Sequence, residues 1–100
     1  MDLGISGRRA AVAASSGGLG LASARALAQA GARVAVCGRD QERLDAAVAE
    51  LRSTGAEVVG LQADVSDPAG ASAFVADASS ALGGLDVLVP NAGGPPAGGF

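Results

Sequence analysis

The chain alternates short, unbroken apolar runs with longer stretches in which apolar residues recur at helical spacing. Ala10 to Ala14 and Val34 to Cys37 are the first two runs, and Val58 to Gln62 and Leu85 to Val89 are the third and fourth. Runs this short, bounded by turn residues, read as strands. Between the first two, Leu19 to Ala30 carries small and apolar residues on nearly all sides until Gly31, a C′ residue for a first helix. Asp40 is suited to cap a second helix, in which Leu44, Ala47, Val48 and Leu51 stand at i, i+3, i+4 and i+7 and Gly55 provides the stop. In "DVSDP", Ser66 is suited to cap a third helix with Pro68 in its first turn. That helix runs through Phe74, Val75, Ala78 and Leu82 and stops at Gly83 and Gly84. After the fourth run, "PNAGGPPAGGF" is too rich in proline and glycine to hold a regular element.

The resulting order, βαβαβαβ, predicts an α/β fold. The strands are apolar throughout rather than alternating, so they bury both faces, as strands of a parallel sheet with helices on each side do. Right-handed crossovers make the sheet doubly wound, most simply in the order 3-2-1-4. One hundred residues amount to one domain. No linker or repeat divides them.

Composition adjusts this picture in three places. Hydrophobic residues make up 49% of the chain but only two are aromatic, so the core is built from Ala, Val and Leu, which suit close packing of helix on sheet. Net charge is −3 with no basic cluster, which argues against a nucleic-acid partner. The seven basic residues are all arginine, and Lys, Tyr, His and Trp are absent. Cys37 is the single cysteine, with neither a disulfide partner nor a histidine to share a metal, and reads as a buried strand residue in a reducing compartment. No run approaches the roughly 20 apolar residues that a membrane span needs. Ser15 to Gly18 also interrupts what would be the apolar part of a signal peptide after Arg8 and Arg9. A cytoplasmic protein with no membrane partner is expected.

The candidate chemistry begins in the loop after the first strand, "AASSGGLG" from Ala13 to Gly20. In a doubly wound sheet this loop opens at the carboxyl edge, beside the point where strand order reverses, which is where ligands bind. Glycines let the backbone approach a pyrophosphate, and free N–H groups at the start of the following helix favour an anion. Ser15 and Ser16 add hydroxyl donors. A tight turn that merely packs helix against strand would use the same glycines. The generic G-x-G-x-x-G fingerprint fails at its third place, because Gly18 and Gly20 take the first two and Ser23 the last.

The stretch resembles instead the T-G-x-x-x-G-x-G loop of the short-chain dehydrogenase/reductase family. Gly18 and Gly20, flanking Leu19, match its last two glycines, while Ala13 and Ala14 stand in place of Thr and Gly. Ala14 is small enough to preserve close approach, but a hydroxyl is lost. Counted from Ala14, Gly17 and Gly20, the same letters also fit the G-x-x-G-x-x-G pattern of the family's extended branch. "LVPNAGG" resembles the segment ending the fourth strand of the reductase-like branch, with Asn91, Ala92 and Gly93 matching and Pro90 in place of the first Asn. "ADVSD" is similar to the segment after the third strand, where the resemblance implies that Asp64 contacts the adenine amino group and Val65 lies beside the ring.

At the end of the second strand, where a carboxylate would accept bonds from the ribose 2′-hydroxyl of NAD, the chain has Gly38 and then Arg39. A guanidinium there suits the 2′-phosphate of NADP, so NADP(H) is the expected cofactor, with NAD second. Asp40, next along, is read as the helix cap.

The resemblance implies an oxidoreductase that reduces a ketone or 3-oxoacyl group on a small molecule by hydride transfer, 3-oxoacyl-carrier-protein-reductase-like, and oligomeric at full length. It also implies a catalytic Ser and a Tyr-x-x-x-Lys pair. With no Tyr, Lys or His, these 100 residues carry no catalytic set of that kind. The fourth strand would also be an exposed apolar edge. Residues 1–100 are therefore expected to be the NADP-binding portion of a longer reductase. Two other readings stay open, an extended-branch epimerase or dehydratase of nucleotide sugars and a non-catalytic nucleotide-binding domain.

Overall fold

The computed structural model describes residues 7–13, 18–65 and 67–89. Its elements are β1 (Arg9–Val12), α1 (Gly18–Gln29), β2 (Arg33–Gly38), α2 (Gln41–Arg52), β3 (Val58–Gln62), α3 (Pro68–Leu82) and β4 (Val87–Val89). They form one four-stranded parallel sheet in the order β3-β2-β1-β4, as the crossover rule predicts.

Each central strand is buried on both faces. Val12, Val34 and Val36 join Ala24 and Ala28 of α1 and Leu44, Val48 and Leu51 of α2 in one cluster. Ala11, Ala35 and Cys37 turn the other way and meet Phe74, Ala78 and Leu82 of α3. The strand period of two thus distributes one apolar run between two cores. Cys37 is fully buried, as its place in the run predicts. The stripe read on α2 is the one it buries: Leu44, Ala47, Val48 and Leu51. Gly31, Gly55 and Gly83 take left-handed φ values of 95°, 88° and 80° just past the three helices, where glycine terminates a helix without strain.

Strand β1 runs Arg9–Val12 and helix α1 Gly18–Gln29, each shifted from the stretch expected, and three further elements differ at their ends for reasons visible in the structure. The third helix is capped by Asp67 rather than Ser66: Asp67 is extended (φ −100°, ψ 131°), its carboxylate accepts from the Ala69 N–H at 3.2 Å, and Pro68 takes the first helical position. Ser66 itself lies outside the described residues. Strand β2 gains a residue at each end because its ladders continue, Arg9 pairing with Arg33 on one side and Gly38 with Gln62 on the other. Strand β4 starts at Val87 because Leu85 packs under α3 and Asp86 is held by Arg9.

That last contact ties the two chain-distant strands β1 and β4 at the amino edge of the sheet. The Arg9 guanidinium donates through Nε to Asp86 Oδ2 at 2.9 Å and through Nη2 to Oδ1 at 3.2 Å, and Nη1 reaches the Gly83 carbonyl at 2.7 Å. The Arg9 N–H adds a further bond to Oδ2 at 2.9 Å. Held first by the guanidinium's hydrogen bonds and then by that N–H, the Asp86 carboxyl is lowered from 3.8 to about 2. A depressed carboxyl stabilises the fold above its unfolded pKa, and that contribution disappears as pH falls from about 4 to about 2. In Asp86→Asn, urea midpoints should therefore fall below wild type at pH 6 and converge with it near pH 2. A gap that persists at pH 2 would show that the charge is not what matters.

Helix α3 lies close against the chain leaving β3. A Cβ at Gly70 would overlap the Asp64 carbonyl oxygen, a backbone atom with little room to move. Gly70→Ala is expected to cost about 1–3 kcal/mol, because either the helix or the Asp64 segment must shift. Urea unfolding measures this, and an unchanged midpoint would show that the segment yields freely.

Candidate functional site

The carboxyl ends of the strands are joined past their ladders. The Ala13 N–H donates to the Val89 carbonyl at 3.0 Å, and the Ala63 N–H donates to the Gly38 carbonyl at 3.1 Å. From β1 the chain crosses to β2 on one side while β4 lies on the other, so strand order reverses at β1. A crevice at this edge is the expected ligand site of a doubly wound sheet.

The described candidates all stand at this edge. Gly18, Leu19 and Gly20 form the first turn of α1, the element that follows β1 in the chain. That turn contains no acidic residue, so nothing on it offsets the partial positive charge of its N–H groups. Arg39 follows the last residue of β2, and Asp64 and Val65 follow β3. Val65 packs against the α3-side core while Asp64 is exposed. Ala14, Ser15, Ser16, Asn91, Ala92 and Gly93 lie outside the described residues.

The corner between β2 and α2 bears on which anion the edge suits. Asp40 is extended (φ −93°, ψ 114°), and its Oδ1 accepts from the N–H groups of Glu42 at 2.9 Å and Arg43 at 3.3 Å. Its Oδ2 lies 4.0 Å from the Arg43 guanidinium. The carboxylate is therefore committed to the helix it caps. Arg39 is exposed, and among the described residues its guanidinium has no ion-pair partner. Its carbonyl accepts from Gln62 Nε2 at 3.0 Å, a contact that periodicity could not reveal because it depends on the β2–β3 register. No group of three His, Cys, Asp or Glu among the described residues could hold a metal ion. No helix of the described residues is long and apolar enough to cross a membrane.

Comparison with known proteins places this architecture. Residues 8–100 match the family described as short chain dehydrogenase. The chain belongs to that family. Its relatives include ketoacyl reductase 1, assigned to the granaticin polyketide synthase of Streptomyces violaceoruber, which is 50% identical over 84 residues, covering 84% of this chain and 31% of that protein. The L-sorbose reductase of Gluconobacter frateurii, solved with NADPH and L-sorbose, superposes with a TM-score of 0.85 at 41% identity, covering 94% of this chain and 36% of that one. A short-chain dehydrogenase/reductase of Burkholderia phymatum, solved with NAD, gives 0.77 at 32% identity, covering 84% and 30%. This short-chain dehydrogenase sequence spans about a third of the length of the relatives it matches. Its family is one of oxidoreductases, and these solved members hold a nicotinamide dinucleotide of either kind.

Proposed function

We propose that residues 1–100 are the NADP(H)-binding portion of a longer short-chain reductase that reduces a ketone or 3-oxoacyl group on a small molecule by hydride transfer. The observation that carries the cofactor preference is the β2–α2 corner, where Asp40 is spent on capping α2 and Arg39 is left exposed and unpaired among the described residues. A carboxylate free at this place would accept from a ribose 2′-hydroxyl and repel a 2′-phosphate; a guanidinium does the reverse. The kinship with a ketoacyl reductase and with an NADPH-bound sorbose reductase supports the reductase reading.

The residues present fit such a cofactor. Ala14, Ser15, Ser16, Gly18, Leu19 and Gly20 would receive the pyrophosphate at the start of α1. Arg39 would bind the 2′-phosphate, and Asp64 and Val65 would meet the adenine. Asn91, Ala92 and Gly93 would complete the floor after β4. Bound there, NADPH supplies the hydride. The Tyr and Lys that the family resemblance assigns to protonating the carbonyl oxygen are absent from this stretch, as is His, so that step and the substrate pocket fall to other parts of the protein. A full-length oligomer in a reducing, cytoplasmic setting belongs to the same reading.

Titration of NADPH and NADH fluorescence with the purified protein tests it. Saturable binding of both is expected, tighter for NADPH, and Gly18→Val should abolish both by blocking backbone approach at the start of α1. A protein that binds neither cofactor would overturn the reading.

A further inference from the structure

The corner that carries Arg39 is pinned from two sides, and one of the two fasteners has no structural task of its own. On the α2 side, Asp40 caps the helix. On the β3 side, Gln62 ends its strand in register with Gly38, and the next residue, Ala63, donates its N–H to the Gly38 carbonyl at 3.1 Å. The backbone ladder between β2 and β3 is thus complete without the Gln62 side chain. That side chain nevertheless reaches past the ladder, and its Nε2 donates to the Arg39 carbonyl at 3.0 Å.

Gln62 is exposed, so the bond adds little to the core. Its effect falls on the conformation of one peptide, the one joining Arg39 to Asp40. That carbonyl is the acceptor end of the residue whose guanidinium is proposed to meet the 2′-phosphate. A long, exposed arginine loses rotamer freedom when it binds, and a backbone anchored beforehand leaves less to be ordered.

We infer that Gln62 is a positioning residue for cofactor selectivity, holding the Arg39 peptide so that the guanidinium favours a 2′-phosphorylated nucleotide. The inference rests on the NADP(H) reading above and deepens it. It concerns selectivity alone: a nucleotide without the 2′-phosphate makes no use of the Arg39 guanidinium and gains nothing from the anchor.

The test is a double-mutant cycle read as the ratio of NADPH to NADH affinity, with 2′,5′-ADP and 5′-ADP as probes lacking the nicotinamide. Gln62→Ala, and Gln62→Met as a variant that keeps the stem without the donor, should lower the ratio about two- to ten-fold, the range of one neutral hydrogen bond, with NADH affinity and thermal midpoint unchanged. In the Arg39→Ala background the same substitutions should leave the ratio where Arg39→Ala puts it, because the residue acts through Arg39. An unchanged ratio in the wild-type background overturns the inference, as does an equal loss for both cofactors or a fall of equal size in both backgrounds. If the unsubstituted protein binds neither cofactor, the functional reading fails first and the inference with it. If it prefers NADPH and only the Gln62 variants are silent, the functional reading stands and the inference alone falls.

Discussion

Phe74→Ala should destabilise the protein by about 3–5 kcal/mol, a large share of the roughly 5–15 kcal/mol that holds a domain of this kind together. Phe74 is 1% exposed and is the largest of the fully buried side chains. Its surroundings explain why the loss should lie at the upper end. On the α3 face it meets Ala11, Ala13, Ala35, Cys37 and Ala78, with Leu82 the one other large side chain of the buried cluster. Alanines on a strand have no rotamers with which to fill a void, so the cavity would stay open. Urea unfolding should show a lower midpoint with an unchanged slope. A loss under about 1 kcal/mol would mean that α3 contributes little to that face.

Arg39→Ala should weaken NADPH by about 1.5–3 kcal/mol, or roughly 10- to 150-fold, the range for hydrogen bonds to a charged group. NADH should change little, because its ribose offers that position a hydroxyl rather than a phosphate. The difference should shrink as salt is raised, since an exposed guanidinium is screened. Parallel fluorescence titrations at two ionic strengths measure both effects. Equal losses for the two cofactors would remove Arg39 from the 2′-phosphate role.

Much of the architecture was legible because the apolar pattern carries it. Val58 to Gln62 is a strand with the bounds its composition suggests, and the four apolar positions at helical spacing after Asp40 are the four that α2 buries. Strand order followed from crossover handedness. Boundaries were harder, because several residues could serve. In "DVSDP" both Ser66 and Asp67 are good caps, and Asp67 takes the role because Pro68 occupies the first helical position directly after it. The start of β4 depended on the Arg9–Asp86 pair, whose members lie 77 residues apart and share no local signal.

The candidate site divides along the same line. Glycines before a helix and an arginine after a strand are local features, and in the fold Gly18 and Gly20 open α1 while Arg39 follows the last residue of β2. What fixes their setting is not local. Gln62 reaches Arg39 through strand register, and Gly70 matters because α3 passes over the Asp64 backbone. Each of these becomes visible only once the sheet is assembled.

The strand order also sets a timetable. Strand β1 lies inside the sheet, and one of its two neighbours, β4, is among the last elements of this stretch: Ala10 pairs with Val87 and Val12 with Val89. The whole stretch from α1 to α3 lies between these two partners in sequence. The β1–α1–β2–α2–β3 segment can gather through shorter loops, whereas closing β4 requires a loop of most of this chain's length, with an entropic cost that grows with that span. On a ribosome β1 therefore emerges early and stays half-paired until β4 arrives. Its open flank in that interval is a row of Ala10, Ala11 and Val12 backbone groups, an unpaired strand edge of the kind that chaperones cover.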